Sequence, residues 1–390
     1  MSEQNLARLF VLCARPWPGH DAGEEVLRLA ATVRDWDRAL ALADDEGILP
    51  LLYWSLREYP GSVPSSVLGA LRTAFLRNMA RTAQIYKELE LFLESVRRAG
   101  IRAALTKGGR LALELYPEPA LRPFWDVDLV VHPADWPALA GILGRLGYAA
   151  AGGDGEAAGA GPGLGWTFSP YFRKGPLFLE FHFSPLGLHF RSGSEDGFWS
   201  SAGRLSVRGT EAMVLPAEHE LCYLCVHAQQ HSYQRLIWLS DIAGMAARPG
   251  LDWDRVVGIS RTRGVAGPVF HGLSLAEALW PGTVPPDRRV RFEPGPFEKA
   301  ALRVLWPEGS TAARRESPGW PYYMPSLFSL WELRSPGLAA RTLAGILFPP
   351  RAWLAANCGV PVGSLRLYGR YLERILRPAV TASKRLISAK

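Results

Sequence analysis

The amino-acid sequence predicts an α+β fold (mixed α/β), with a small mixed β-sheet core between a helical N-terminal lobe and a helical C-terminal region. Three observations predict it. Apolar residues recur at helical spacing up to about residue 100. At Ile101 the pattern changes to short runs rich in β-branched residues, and helical spacing returns after Pro216. We therefore expect a lobe at 1–100, a core at 101–210 and a region at 211–390.

The composition is that of an ordinary globular protein, since 48 % of the 390 residues are hydrophobic and 21 % are charged. It excludes a fibrous protein and a chain that is disordered throughout. Four cysteines cannot build a dense disulfide framework, which favours a reducing compartment. The polar start shows no secretory signal, and no uncharged apolar window reaches about 18 residues. We therefore expect a cytoplasmic protein.

One long helix is the clearest element of the N-terminal lobe. It is predicted between Val67 and Arg98, because Pro64 breaks the chain before it and Gly100 ends it. Its apolar stripe consists of Leu71, Phe75, Met79, Tyr86, Leu89, Leu93 and Val96. A stripe of this kind indicates packing, so we expect no chemistry from the lobe.

The core region carries alternating strand and helix signals. Strands are predicted at Ile101–Leu105, Val127–Val131 and Leu177–Phe183. Helices are predicted at Arg110–Tyr116 and Ala134–Leu146, the second ending at a glycine. A segment with seven glycines in fourteen positions, 152–165, is expected to be a loop.

The C-terminal region begins with a predicted long helix or helix pair at Glu218–Ala247, and 281–325 is expected to form loops. An amphipathic helix is predicted at 364–377. Its apolar side consists of Leu365, Tyr368, Leu372 and Ile375, and we expect it to be docked on the body of the protein.

Positive charge is concentrated at the end of the chain. From Pro350 to Lys390 there are eight basic residues and one acid, Glu373, so this segment holds the whole net charge of +7. Two ligands of this tail stay open, an acidic partner and an anionic membrane surface. No DNA-binding motif is evident, so we do not expect nucleic acid as a partner.

Two carboxylates on one predicted strand are the sharpest chemical signal. Asp126 and Asp128 alternate with Val127 and Leu129, so both acids point to one face of the strand. Like charges this close raise each other's pKa, and a divalent cation between them relieves the repulsion. A strand with one wet face would produce the same pattern, and this alternative stays open.

A second strand adds a carboxylate and an imidazole. Glu180 and His182 alternate with apolar residues in the strand near residue 180. If this strand lies beside the first, Glu180 becomes a third ligand, and three carboxylates suit a two-metal site for phosphoryl transfer. His182 would then be a substrate contact or a hydrogen-bonding partner of the ligands.

A glycine pair and an arginine precede the acids. Lys107, Gly108 and Gly109 lie between a strand and a helix, where backbone N–H groups and a lysine favour a phosphate. Arg122 is a candidate for binding a triphosphate. The alternative is that it forms an ion pair with Asp126 or another surface acid.

Two histidines share one face of the predicted C-terminal helices. His227 and His231 are spaced by four residues, but the glutamate of a zinc-protease helix is absent and Cys222 and Cys225 look like buried small hydrophobes. We favour His227, His231 and Asp241 as residues that line a nucleotide or acceptor cleft. A packed polar cluster is the alternative.

The motifs together resemble the uncharacterised nucleotidyltransferase family of the DNA polymerase β superfamily, over roughly residues 35 to 250. The residues that carry the resemblance are Lys107-Gly108-Gly109, Leu115-Tyr116-Pro117, Arg122-Pro123, Asp126-Val127-Asp128, Leu146-Gly147-Tyr148, Leu179-Glu180-Phe181-His182, His227, His231, Trp238 and Asp241. The sequence departs from the usual Gly-Ser loop of the superfamily at Gly108-Gly109.

The resemblance implies transfer of a nucleoside monophosphate from an NTP to an acceptor, with Mg²⁺ (or Mn²⁺) as cofactor and pyrophosphate as product. It implies that Asp126, Asp128 and Glu180 bind metal and that Gly108 and Gly109 face the triphosphate. The acceptor is an unidentified peptide, sugar or other small molecule. The alternative is a non-catalytic accessory protein that binds a nucleotide or a peptide on the same fold.

Overall fold

A computed structural model describes residues 3–15, 23–59, 61–151, 170–183, 186, 196–231, 233–293, 295–296, 337, 340, 343–344, 347–349 and 351–376. The N-terminal lobe is helical, as predicted. Its helices are α1 (Glu3–Cys13), α2 (Gly23–Ala30), α3 (Trp36–Asp45), α4 (Leu49–Leu56) and α5 (Ser65–Arg98).

A seven-stranded mixed sheet forms the centre. Its strands are β1 (Ala103–Thr106), β2 (Val127–Val131), β3 (Ala149–Ala150), β4 (Tyr171–Lys174), β5 (Leu177–His182), β6 (Gly203–Val207) and β7 (Thr210–Val214). The strand order is β3-β4-β5-β2-β1-β7-β6. The pairs β2–β5 and β1–β7 are parallel and the other pairs are antiparallel.

Helices cover the sheet and continue the chain beyond it. Within the core they are α6 (Lys107–Glu114), α7 (Trp136–Arg145) and α8 (Asp196–Ser200). After the sheet they are α9 (Ala217–Gln230), α10 (Leu236–Ala246), α11 (Trp253–Arg263), α12 (Ala266–Leu279), α13 (Pro286–Arg289), α14 (Arg351–Cys358) and α15 (366–376). No helix in the described ranges has both the length and the apolar composition that a membrane crossing requires.

The two sides of the sheet bury different hydrophobic clusters. One cluster joins Val127, Leu129 and Val131 of β2 to the C-terminal half of α5 and to α7. The other joins Ala104 and Val130 to α1–α4 and to α9–α12. Because strand side chains alternate, the polar residues of β2 and β5 face this second, helical side.

The helical lobe and the first C-terminal helices therefore share one core. Leu9 and Leu52 of the lobe belong to the same buried cluster as Leu221 and Leu273. The sheet also extends to Val214, so the expected boundary at residue 210 cuts through β7. The three expected units thus follow one another along the chain, but they do not each have a separate core.

Several sequence predictions need correction. Strands β3, β4, β6 and β7 were not predicted. Lys107, Gly108 and Gly109 form the first turn of α6 and no separate loop precedes that helix. Part of 281–325 is helical, at α13. The glycine-rich segment 152–165 lies outside the described residues.

His219 in the first turn of α9 predicts an acid-sensitive fold. Burial, followed by the charges of Arg255 and Arg263, lowers the pKa of this histidine from 6.5 to about 4. Its stabilising contribution is present above pH 6.5 and is lost as the pH falls towards 4, by about 3 kcal/mol at pH 4. A His219→Gln protein should lose less unfolding free energy between pH 7 and pH 4 in urea titrations. An unchanged pH dependence would contradict this assignment.

Candidate active site

The centre of the site is built by two parallel strands. In the β2–β5 register, Asp128 lies beside Glu180 and Val130 lies beside His182. Residues two apart on a strand share a face, so Asp128, Glu180 and His182 converge. One ligand atom from each lies within 4.8 Å of the others. The predicted neighbourhood of Asp128 and Glu180 is therefore observed.

Lys107 completes this cluster from the next strand. Antiparallel pairing puts Thr106 of β1 opposite Asp128, so the following residue reaches the acids. The Nζ atom of Lys107 lies 2.7 Å from Asp128 Oδ1 and the side chain is buried. Burial lowers the pKa of Lys107, but the charges of Asp128, Tyr223 and Glu180 outweigh it and hold the pKa well above its usual value.

The two aspartates of the motif differ in environment. Burial raises the pKa of Asp128, but Lys107 and the His182 ring, at 2.8 Å, bring it well below its usual range. Burial and the charges of Asp128 and Glu180 raise the pKa of Asp126 to about 6. Among the described residues, the close group consists of Asp128, Glu180 and His182, and Asp126 is outside it. The close group therefore holds two carboxylates and an imidazole, and metal binding by Asp126 stays a prediction.

The glycine pair allows α6 to pack closely. A Cβ atom on Gly108 would lie 2.4 Å from Arg122 Nη1 and 2.7 Å from Phe124 Cβ. One on Gly109 would lie 3.4 Å from side-chain atoms of Leu105 and Val127. Packing within the chain explains Gly108, whereas a Cβ atom on Gly109 would make ordinary contacts, and contact of either residue with a triphosphate stays a prediction.

Arg122 pairs with Asp241, so of the expected partners, Asp126 or another acid, the structure shows another acid, and a buried one. Its Nη2 atom lies 2.6 Å from Asp241 Oδ2, and the Tyr116 hydroxyl donates to Asp241 Oδ1 over 2.7 Å. Both members of the ion pair are buried. Asp241 therefore belongs to a packed polar cluster, the alternative to a cleft-lining residue.

Glu220 is a buried carboxylate that the sequence analysis missed. It accepts hydrogen bonds from the Thr106 hydroxyl at 2.7 Å, from the Lys107 backbone N–H at 2.8 Å and from Arg110 Nη1 at 3.1 Å. These contacts hold the junction of β1 and α6, and thereby the start of the Lys107 side chain. Glu220 directly precedes the apolar run at 221–226 and follows two other polar residues, so the sequence carried no signal for its burial.

Aromatic and imidazole rings from α9 and α10 lie over the cluster. The Tyr223 ring is 4.9 Å from Lys107 Nζ and 5.9 Å from the His182 ring. The rings of His227 and His231 are 4.6 Å apart, and Trp238 lies against both. Burial, followed by the charge of Lys107, lowers the pKa of His227 well below its usual value. His227 and His231 are therefore close to the cluster, and the His227 ring is neutral.

Two aromatic side chains near the acids reach solvent. Trp125 precedes Asp126 and is 60 % exposed, and the Arg81 guanidinium lies 3.9 Å from its ring centre. Tyr171 lies opposite Glu180 in the β4–β5 pair, and burial, followed by the charge of Glu180, raises the pKa of its hydroxyl well above its usual value. Neither residue was selected from the sequence, because an isolated aromatic residue carries no spacing signal.

The donor set fits a divalent cation. Two carboxylates and one imidazole combine the oxygen ligands that Mg²⁺ and Mn²⁺ prefer with a nitrogen ligand that transition metals accept. Cys222 and Cys225 are buried, as predicted, and no cysteine belongs to the metal-compatible group found among the described residues.

Comparison with known proteins identifies a family. The sequence model of the family described as uncharacterised nucleotidyltransferase matches residues 32–281, which is more than half of the chain. The matched residues include Lys107, Asp128, Glu180 and His182. No curated protein and no solved structure matched the chain. The chain therefore belongs to the family of uncharacterised nucleotidyltransferases.

Proposed function

We propose that this protein transfers a nucleoside monophosphate from an NTP to an unidentified acceptor, a peptide, sugar or other small molecule, and releases pyrophosphate. One observation carries the proposal: Asp128, Glu180 and His182 converge beside the buried ammonium of Lys107. The family match and the sequence resemblance to the DNA polymerase β superfamily support it. In the reaction, an acceptor oxygen bonds to the α-phosphorus as the bond to the bridging α–β oxygen breaks.

The residues of the cluster have distinct proposed roles. Asp128, Glu180 and His182 would hold Mg²⁺ or Mn²⁺, which when bound neutralises phosphate charge and assists displacement at phosphorus. Lys107 provides a positive charge for the triphosphate or the departing pyrophosphate. Tyr171, paired with Glu180 across β4 and β5, would orient that carboxylate. Glu220 positions Lys107 through the backbone N–H of that residue.

Calorimetry with each NTP in the presence of Mg²⁺ tests the proposal. We expect binding by the wild type and its loss in the Asp126→Asn/Asp128→Asn protein. The matched control is Asp37→Asn/Asp44→Asn, which removes the same charge from two exposed positions. Pyrophosphate release is then assayed with peptide, sugar and small-molecule acceptors. Wild-type binding that survives in the Asp126→Asn/Asp128→Asn protein would contradict the proposed site.

A second function is favoured by the Lys107–Asp128 ion pair. Because an ammonium already lies 2.7 Å from Asp128 Oδ1, this carboxylate has a counter-charge without a metal. A non-catalytic accessory protein that binds a nucleotide or peptide is therefore the second candidate. NTP binding without pyrophosphate release across the acceptor panel would favour it.

The pKa of Asp126, raised to about 6, predicts a pH-dependent cation affinity. Above pH 6 the carboxylate is ionised and attracts the cation, and below pH 6 it is protonated. We expect Mn²⁺ affinity to fall roughly tenfold between pH 7 and pH 5 from this group alone. Isothermal titration of wild type and Asp126→Asn checks this, and equal pH dependence in both proteins would contradict it.

Trp125 offers a flat surface for a nucleobase at the edge of the site. Its exposed ring is already held by the Arg81 guanidinium. We expect Trp125→Ala to weaken NTP binding by about 1–3 kcal/mol, the range for loss of one base–aromatic stack. Trp125→Phe should retain most of the affinity in the same titrations. An unchanged affinity in Trp125→Ala would exclude this surface.

A further inference from the structure

The C-terminal helix α15 presents its apolar face to solvent. Leu365, at its start, is 80 % exposed and Leu372 is 57 % exposed. Tyr368, Ile375 and Leu376 are exposed on the same side. The prediction that this side of the helix docks on the body is therefore wrong.

The helix packs through a different and smaller side. Leu367 is buried with Leu354 and Ala355 of α14, in a cluster separate from the two cores beside the sheet. The Tyr371 hydroxyl donates to the Pro349 carbonyl over 2.6 Å. These contacts hold α15 on α14 and leave its larger apolar side uncovered.

The helix therefore has three sides. At 100° per residue, Leu365, Tyr368, Leu372, Ile375 and Leu376 fall within an arc of about 100°. The packed side adjoins one edge of this arc. Exposed Arg366 and Arg370 lie beyond the other edge, together with the one acid, Glu373, which pairs with Arg370 at 2.8 Å.

The chemistry of this surface identifies its partner. Exposed leucine and isoleucine side chains with a tyrosine, next to arginines, match the boundary between lipid headgroups and acyl chains. The segment after the helix adds Arg377, Lys384, Arg385 and Lys390 and no acid. A second copy of the chain would bring the same positive charge, and nucleic acid would leave the aliphatic side chains unburied.

We propose that α15 binds the surface of an anionic lipid bilayer and lies in the plane of its interface. The exposed apolar side chains enter the headgroup region while the arginines contact anionic headgroups. With 11 residues the helix is about 16 Å long, so it lies on a bilayer about 30 Å thick and does not cross it. This proposal does not depend on the enzymatic one.

Vesicle flotation of the full-length protein tests the proposal. The probes are phosphatidylcholine vesicles with and without about 30 % phosphatidylglycerol. The test variant is Leu365→Ser/Leu372→Ser. The matched control is Leu76→Ser/Leu91→Ser, which removes two exposed leucines from α5. Melting curves show that each variant is folded, and NTP titrations run in parallel so that a failed nucleotide site is recognised separately.

We expect the wild type to bind the anionic vesicles at least tenfold more tightly than the neutral ones. Raising the ionic strength from about 0.1 M to about 1 M should release much of the protein. The test variant should lose at least tenfold in binding and the control should match the wild type. Failure to bind anionic vesicles, or equal binding by the test variant, would overturn the proposal. A wild-type dimer that the test variant breaks, without vesicle binding, would instead assign the face to a second copy.

Discussion

An Asp241→Asn protein should be about 3–5 kcal/mol less stable than the wild type, because it leaves a guanidinium buried without its counter-charge. Arg122 and Asp241 are both buried, and their closest atoms are 2.6 Å apart. Burial lowers the pKa of Arg122, but Asp241 outweighs it and raises the pKa above its usual value, so the arginine stays charged. Urea denaturation followed by circular dichroism measures the difference.

Two further variants test whether the loss of stability comes from the broken ion pair or from the lost polar contact. Glu3→Gln removes an exposed ion pair with Arg38 and should change stability little. Arg122→Met/Asp241→Leu replaces both charges and should recover a large part of the loss, since no unpaired ion remains. If Asp241→Asn lies within about 1 kcal/mol of the wild type, the buried pair does not have the assigned role.

A Lys107→Met protein should be destabilised without metal and should bind cations more tightly. Removing the ammonium leaves the buried Asp128, beside the half-buried Glu180, without its positive partner, at a cost of about 3–5 kcal/mol. A divalent cation no longer competes with the ammonium for Asp128 Oδ1, so Mn²⁺ affinity should rise roughly tenfold. Calorimetry and melting curves with increasing Mn²⁺ measure both effects.

The control for this prediction is Lys174→Met, the same substitution in a partly exposed pair. Lys174 Nζ lies 3.0 Å from Glu88 Oε2, away from the acids of β2. We expect little change in stability and none in Mn²⁺ affinity. Equal Mn²⁺ affinity in the wild type and Lys107→Met would mean that the cation does not use Asp128. NTP affinity should fall in Lys107→Met even at saturating Mn²⁺, because the lysine charge is lost.

Much of the secondary structure could be predicted because its signals are local. The apolar stripe of α5 repeats over about seven turns, and the observed helix, Ser65–Arg98, begins and ends near its proline and glycine signals. The alternation in β2 correctly predicted that Val127 and Leu129 are buried. Strand β3 has only two residues, too few for a period to emerge, so it was missed.

The candidate site was predicted in part. The sequence singled out Asp128, Glu180, His182 and Lys107, and the structure brings these four residues together. It did not select Glu220, although this carboxylate holds the backbone of Lys107. A buried glutamate has no spacing signal, because its partners lie more than 100 residues away in the sequence.

By itself, the sequence determined the helical regions, the two acid-bearing strands, the family and the basic end of the chain. Only the tertiary structure decided which partner each charged group of the candidate site has. The parallel register of β2 and β5 places Asp128 beside Glu180, and the packing of α10 places Asp241 beside Arg122. Secondary structure follows from neighbours a few residues apart, whereas strand register and ion pairing join distant segments and depend on how the whole core packs.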